Sequence, residues 1–235
     1  MARAYPPAPL VSASLLRGLL AYWKFDNASG TSVTDATGNG HTGTWAGTLG
    51  SQWGTGIING DGVFNGTNNF IGLGSTLQAS MTAAFTVAGW INPTSATGVY
   101  DLIGTGAPGS SPFKGFRCLT NAKEIEFQVG NGATSASSFS AASLSAAWHH
   151  WACTYDGKTA FSYVDAVRST GATLTGPMVA STNAMQIGDT TGSLHPAAGG
   201  MDEMGAWSRA LGPGEILALR NLGNGIQYPF TGAAA

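Results

Sequence analysis

The sequence predicts an all-β protein, a two-sheet antiparallel sandwich with one short C-terminal helix, and three observations predict it. From Gly18 onward, short apolar runs are separated by clusters of Gly, Asn, Asp and Ser, the pattern of many short strands joined by turns. The runs recur about every ten residues, without the intervening helices that an α/β fold would need. Within a run the faces alternate: in "EIEFQVG" (124–130), Ile125, Phe127 and Val129 share one side while Glu124, Glu126 and Gln128 share the other.

A chain of 235 residues can bury one substantial core, so a single domain is expected. Charged residues make up 9% of it, against roughly 25% in ordinary proteins, and hydrophobic residues 43%. The surface is therefore dominated by Gly, Ser, Thr, Asn and Ala. A net charge of −2 offers no basic stripe for nucleic acid and no polybasic membrane anchor. No window approaches the roughly 18 unbroken apolar residues of a membrane helix. Pro6, Pro7 and Pro9 interrupt what would have to be a signal core, so no signal peptide is expected, and Cys118 and Cys153, which could form one bridge, are on that ground read as buried thiols.

In chain order, residues 1–17 are rich in Pro, Ala and Ser and read as an extended arm, residues 18–230 as the domain, and 231–235 as a tail. Strands are expected at 19–25, 62–65, 70–74, 85–91, 99–105, 115–119, 124–130, 149–155 and 160–165. "YDGKTAF" places Asp156 and Gly157 at the centre of a type I′ turn, which pairs the last two of these strands. "SASSFSAASLSAA" (135–147) is biased enough to be an edge segment. The helix is expected within 211–225, with Pro213 in its first turn, Glu215 at its positive end and Gly223 as its C-terminal cap. Ile216, Leu219 and Leu222 would line its buried side.

Four constellations carry possible chemistry. His149 and His150 are adjacent, so on a strand they point to opposite faces and cannot ligate one ion together, while His41 and His195 have no visible catalytic neighbour. Asp202 and Glu203 in "MDEM" diverge by the same rule, whereas a retaining glycosidase needs facing carboxyl groups about 5–5.5 Å apart. Serine-elbow, HExxH and phosphate-loop motifs are absent, and no enzyme is expected. In "WKFDNASGTSVTDATGNGHTG" (23–43), Asp26 and Asp35 offer carboxylates beside loop oxygens, which suits Ca²⁺; Asp and Asn capping their own turns explains the same letters. Among seven tryptophans, Trp45 and Trp53 lie in Gly-rich stretches and are the candidates for an exposed sugar-binding ring.

The pieces, in order, resemble the laminin G-like jelly-roll domains of the concanavalin A-like lectin/glucanase superfamily. They are "SLLRGLLAYWKFDNASG", "DATGNGHTGTW", "GVFNGTNNFIGLG", "FTVAGWINP", "WHHWACTYDGKTAFSYVDA", "MQIGD", "GGMDEMGAWSRALGPGEILAL" and "NLGNGIQYPF". The resemblance implies a concanavalin A-like jelly roll and a structural Ca²⁺ held by Asp26, Asp35, a loop oxygen near Asn39, and Asp202. Ala166 stands where relatives usually place Gly, and Gly212 where they place a helix-capping Ser. Binding rather than catalysis is implied. With the Pro-rich arm and no expected signal peptide, the chain looks like the accessory proteins of tailed bacteriophages. That reading expects a capsid decoration or tail-associated adhesin on the virion surface, docked on other virion proteins through residues 1–17, forming a homo-oligomer or array and gripping surface glycans. The alternative is a secreted, extracellular calcium-dependent lectin.

Overall fold

A computed structural model describes residues 13–105, 113–190 and 195–231. In the first half of the chain lie β1 Leu19–Trp23, β2 Ser32–Val33, β3 Gly43–Ala46, β4 Trp53–Thr55, β5 Gly60–Asn65, β6 Phe70–Gly74 and β7 Phe85–Pro93. The second half brings β8 Tyr100–Gly104, β9 Lys114–Asn121, β10 Glu124–Asn131, β11 Ser135–Phe139, β12 His149–Tyr155 and β13 Thr159–Val164. After these come β14 Val167–Arg168, β15 Ala172–Thr173, β16 Met185–Ile187 and β17 Ala198–Trp207. One sheet has nine strands in the order β14-β13-β12-β7-β17-β5-β4, with β1 also on β17 and β15 on β13. The other has eight, β11-β10-β9-β8-β16-β6-β3-β2. All pairings are antiparallel among the described residues, which makes the fold the two-sheet sandwich expected.

The alternation in the sequence sets the core. Phe127 on β10 lies opposite Cys118 on β9, and Cys153 on β12 opposite Val87 on β7; all four are fully buried between the sheets. Both thiols are free. Phe85 meets Phe116, Phe127 and Tyr155 at ring distances of 4.7, 5.8 and 5.9 Å, within the range of favourable aromatic pairs.

A second apolar cluster sits on the outer face of the nine-stranded sheet. Across that face, Tyr22, Gly205, Ala88, Ala152 and Tyr163 follow one another on five adjacent strands. Small residues in the middle and tyrosines at both ends make a valley. Ile216 and Leu219 of the C-terminal helix (Pro213–Arg220), with Leu15, Ile226 and Phe230, fill it.

Three local expectations are corrected. The hairpin between β12 and β13 turns one residue later than predicted: Asp156 N–H donates to Thr159 O at 3.2 Å, so Gly157 and Lys158 are central. Only Gly157 has positive φ, at 97°, as a type II′ rather than a type I′ turn requires, and the Asp156 side chain accepts from Lys158 N and Thr159 N. The helix ends early, because Asn221 takes the left-handed conformation that Asn tolerates well (φ 46°). Leu222 therefore leaves the helix line and is 73% exposed rather than buried.

Of the expected arm, residues 1–12 lie outside the described residues, as does the tail from 232. Residues 13–17 belong to the packed body: Leu15 is fully buried, its carbonyl accepts from Trp207 Nε1 at 2.7 Å, and Arg209 Nη2 donates to Ser14 O at 2.6 Å. Composition misleads there, since one buried Leu among Ser and Arg is enough to dock the segment.

Candidate functional site

The carboxylates gather at the middle of β17. Between Asp202 and Gly205 the register against β7 slips, and Glu203 adopts φ 47°, a rare left-handed value for a side chain of this size. This bulge suspends the alternation that would have sent Asp202 and Glu203 to opposite faces. Asp202 Oδ2 accepts from Ile58 N at 3.0 Å, and its Oδ1 from Glu203 N at 2.7 Å. Gln227 Nε2 bridges Glu203 Oε1 (2.7 Å) and Asp26 Oδ2 (2.8 Å), while Gly60 N donates to Asp26 Oδ1 at 3.0 Å.

Burial pushes Asp202 up to about 7. Burial, reinforced by the neighbouring Asp202 charge, pushes Glu203 up to about 8. Lys24 reaches Gln227 Oε1 at 3.4 Å, not the carboxylates. A groove of about 410 Å³ lined by Lys24, Ile58, Asn221, Gln227 and Tyr228 adjoins the cluster.

Of the four residues expected around Ca²⁺, Asp26 and Asp202 thus share one electrostatic neighbourhood. Asp35 and Asn39 are engaged elsewhere. Asp35 Oδ1 accepts from Tyr22 N (3.2 Å), Thr37 N (3.0 Å) and Thr37 Oγ1 (2.7 Å), and its Oδ2 accepts from His41 N (3.0 Å). Burial works against its charge, yet these hydrogen bonds hold the carboxyl below its usual range. Asn39 Nδ2 donates to Leu20 O at 2.9 Å. Asp35 thus caps its own turn, as Asp does in tight turns, whereas Asn39 ties its loop to the first strand.

Among the described residues no three His, Cys, Asp or Glu side chains converge as a ready-made metal cage. Calcium does not need one, because carbonyl oxygens complete its shell of six to eight. Two observations fit a cation beside Asp26, Asp202 and Glu203: besides burial, the Asp26 charge raises the proton affinity of Asp202, and the Asp202 and Asp26 charges that of Glu203, while Glu203 Oε2 is buried without a partner. Gln227 had no sequence signal, since it lies far along the chain in an irregular segment.

The histidines hold structure together. His149 Nδ1 contacts Asp165 Oδ2 at 2.8 Å, and Ser145 Oγ lies 2.8 Å from His149 Nε2. The Ser145 backbone N–H also donates to that nitrogen, at 3.0 Å, which occupies the lone pair a general base would use. His150 packs edge-on against Trp90 at 5.4 Å, and burial pushes it down to about 3. His195, which showed no catalytic neighbour in the sequence, caps a buried network on the outer face of the eight-stranded sheet. Arg117 pairs with Asp101, Arg117 Nη2 lies 2.8 Å from His195 Nδ1, and Thr190 Oγ1 donates to Asp101 Oδ2 at 2.9 Å.

The exposure expected of Trp45 is corrected. It sits on β3 between outward Thr44 and Ala46, so its ring faces the core, 3% exposed and 4.8 Å from Phe64. Trp53 is half-buried against it, with Nε1 donating to Gly30 O at 3.0 Å.

A family profile described as the concanavalin A-like lectin/glucanases superfamily, of the laminin G group, matches residues 65–217, more than half of the chain. The chain belongs to this superfamily. None of the curated proteins compared with it matches. Among solved structures, this laminin G-like sandwich is similar to domain 4 of an extracellular arabinanase from Geobacillus stearothermophilus, in complex with arabinotriose. The TM-score is 0.65 at 20% identity, over 85% of this chain and 96% of that one. It is also similar to the binding domain of botulinum neurotoxin serotype G, with TM-score 0.64 and 17% identity over 87% of this chain, but it spans only 51% of that domain. Trypanosoma rangeli sialidase matches with TM-score 0.62 and 16% identity over 91% of this chain and 34% of its own length. At these identities the likeness is one of fold.

Proposed function

We propose that this laminin G-like sandwich is a non-enzymatic binding module for glycans, with one Ca²⁺ held by Asp26, Asp202 and Glu203 as a structural ion. One observation carries the non-enzymatic reading. The carboxyl groups with the proton affinities that acid–base chemistry requires, Asp202 and Glu203, are 0% and 4% exposed. Three of their four oxygens accept from Ile58 N, Glu203 N and Gln227, and the fourth, Glu203 Oε2, is buried. The arabinanase domain of matching fold and length, in complex with arabinotriose, supports a saccharide as the ligand class. A glycan array, read with calcium and with chelator, tests this reading, and release of reducing sugar that is lost in Asp202→Asn would overturn it.

The finer reading is a virion accessory protein, a capsid decoration or tail-associated adhesin at the virion surface. It forms a homo-oligomer or array and docks on other virion proteins through the residues before Ala13. The support is that Ser14 and Leu15 are pinned to Arg209 and Trp207, which fixes the start of the described chain on the helix-covered face. Deletion of residues 1–12 is expected to abolish incorporation into particles while leaving the melting temperature unchanged. The alternative, an extracellular calcium-dependent lectin, predicts a free species in the medium rather than co-sedimentation with a particle, and glycan binding lost in chelator.

A further inference from the structure

The outer face of the nine-stranded sheet has a second half, which the C-terminal helix does not cover. Register places Asn92 on β7 opposite Gly200 on β17, and Gly200 opposite Val63 on β5. Because His150 lies opposite Trp90, Trp148, two residues earlier, continues this row from its far end. Trp148, Asn92, Gly200 and Val63 are all half-buried rather than sealed.

Asp61 closes the row. It lies on the same face as Val63, directly opposite Gly54, and is 4% exposed. Its Oδ1 is buried without a well-aligned hydrogen-bond donor, burial pushes its carboxyl up against a weaker opposing contact from the Gly54 backbone N–H, and no Lys or Arg pairs with it among the described residues. A carboxylate can lie flat here only because its neighbours are glycines. A Cβ at Gly54 would meet Oδ1 at 2.5 Å, and one at Gly200 would meet Oδ2 at 2.2 Å and Trp148 Cη2 at 2.9 Å. Asp61 and the edge of the Trp148 ring therefore rest side by side on the Gly200 backbone. At the other end of the row, a cavity of about 170 Å³ opens between Val63 and the loop 48–52. Its wall includes Gln52, whose Oε1 is likewise buried without a partner.

An aromatic ring, two acceptors without well-aligned donors and no cation together describe the complement of a hydroxyl-rich, uncharged molecule. We propose that this row is a subsite for a neutral oligosaccharide laid across the strands, one sugar ring against Trp148 and hydroxyl groups donating to Asp61 and Gln52. The inference rests on the glycan-binding reading and names its site and ligand class. From Trp148 to Val63 the row spans three strand spacings, about 14 Å, which suits a short oligosaccharide rather than a single ring. Anionic sugars are disfavoured, because Asp61 would repel a carboxylate and no Arg or Lys stands in the row to receive it.

The test is a glycan array carrying neutral arabino-, galacto- and gluco-oligosaccharides beside sialylated ones, probed with the full chain in calcium and in chelator. Wild type is expected to bind at least one neutral class and no sialylated one. Trp148→Ala, Asp61→Asn and Gly200→Ala should each weaken that binding about tenfold or more, equivalent to about 1.4 kcal/mol, whereas Trp148→Phe should retain most of it. If Trp148→Ala fails to fold, Gly200→Ala and Asp61→Asn carry the test, with thermal melts as the check on folding. Neutral-glycan binding that persists within twofold in Gly200→Ala and Asp61→Asn overturns this subsite and leaves the binding-module reading standing. No glycan bound by wild type, or sialylated glycans alone, overturns the subsite, and the first of these removes the glycan reading with it.

Discussion

One face of one sheet is finished in two ways. At one end of the nine-stranded sheet the outward row Tyr22, Gly205, Ala88, Ala152 and Tyr163 is roofed by the C-terminal helix and Phe230, and its residues are sealed. At the other end Trp148, Asn92, Gly200 and Val63 have no such roof among the described residues, and a carboxylate oxygen and an amide oxygen lie without well-aligned donors beside them. Both rows read the same in the alternation of the strands. The difference teaches that periodicity settles which side chains point outward, while a segment distant in sequence decides whether that face is a second core or a surface available to a ligand.

The sharpest way to break the comparison is to remove the roof. Phe230 is 0% exposed, 5.2 Å from Tyr22 edge-on and 6.4 Å from Trp207. Phe230→Ala should destabilise the protein by about 3–5 kcal/mol through lost burial and the cavity left behind. Urea unfolding checks this, and glycan binding by the fraction still folded should be unchanged, since the open row does not touch Phe230. A cost below about 1 kcal/mol would mean that the helix side is not a second core.

Calcium comes next. The Asp26, Asp202 and Glu203 cluster stands between the two halves, and an ion there that binds only the folded chain should stabilise it by about 2.7 kcal/mol at a hundredfold excess over Kd. Calorimetry in calcium and in chelator should show this shift for wild type and its loss in Asp202→Asn. An identical shift in that variant would place the ion elsewhere.

Glu215 offers a smaller effect with a defined pH dependence. Burial works against its charge, yet Arg209, Ser14 and Gly212 N hold its carboxyl down to about 2. A carboxyl lowered in the folded state stabilises above its unfolded value, near 4.3, and loses that contribution as pH falls toward the folded value. Glu215→Gln should therefore cost about 2 kcal/mol at pH 7. The gap to wild type should narrow between about pH 4.5 and 2, followed by denaturant midpoints across that window.

Much of this was legible in the sequence. Ile125, Phe127 and Val129 announced a core face because strand alternation is enforced by geometry, and the DG between two apolar runs announced a hairpin even though the turn shifted by one residue. The site was less legible for a physical reason. Glu203 breaks alternation at a bulge, Gln227 joins the cluster from an irregular segment, and the Trp148 row exists only across strands, so no local spacing encodes any of them. Trp45 and Trp53 drew attention through Gly-rich surroundings, but glycines let the chain turn without exposing a ring: Trp45 is sealed in the core and Trp53 half-buried against it. A register worked out from "WHHWACTY" against "FTVAGWIN" would have brought Trp148 beside Asn92. It could not have shown that Gly200 leaves room for Asp61.

The finest test sets two glycines on β17 against each other. Gly205 lies under the roof, where a Cβ would meet Trp207 Cη2 at 2.5 Å and Tyr22 Cδ2 at 3.0 Å, rings that are themselves fully enclosed. Neither ring can move without disturbing the helix, so Gly205→Ala should cost about 1–3 kcal/mol, the usual penalty of overpacking. Gly200 lies in the open row, where the new methyl meets only the ends of the Asp61 and Trp148 side chains, and Trp148 has solvent to swing into. Gly200→Ala should therefore cost clearly less than Gly205→Ala, about 0.5–1 kcal/mol, the penalty of shifting the enclosed Asp61 carboxylate. Neither position has positive φ, so backbone strain does not blur the pair. Chemical denaturation of the two variants side by side checks the difference. Equal costs would mean that the open half is packed as tightly as the roofed one, and a row packed that tightly has no room for a sugar.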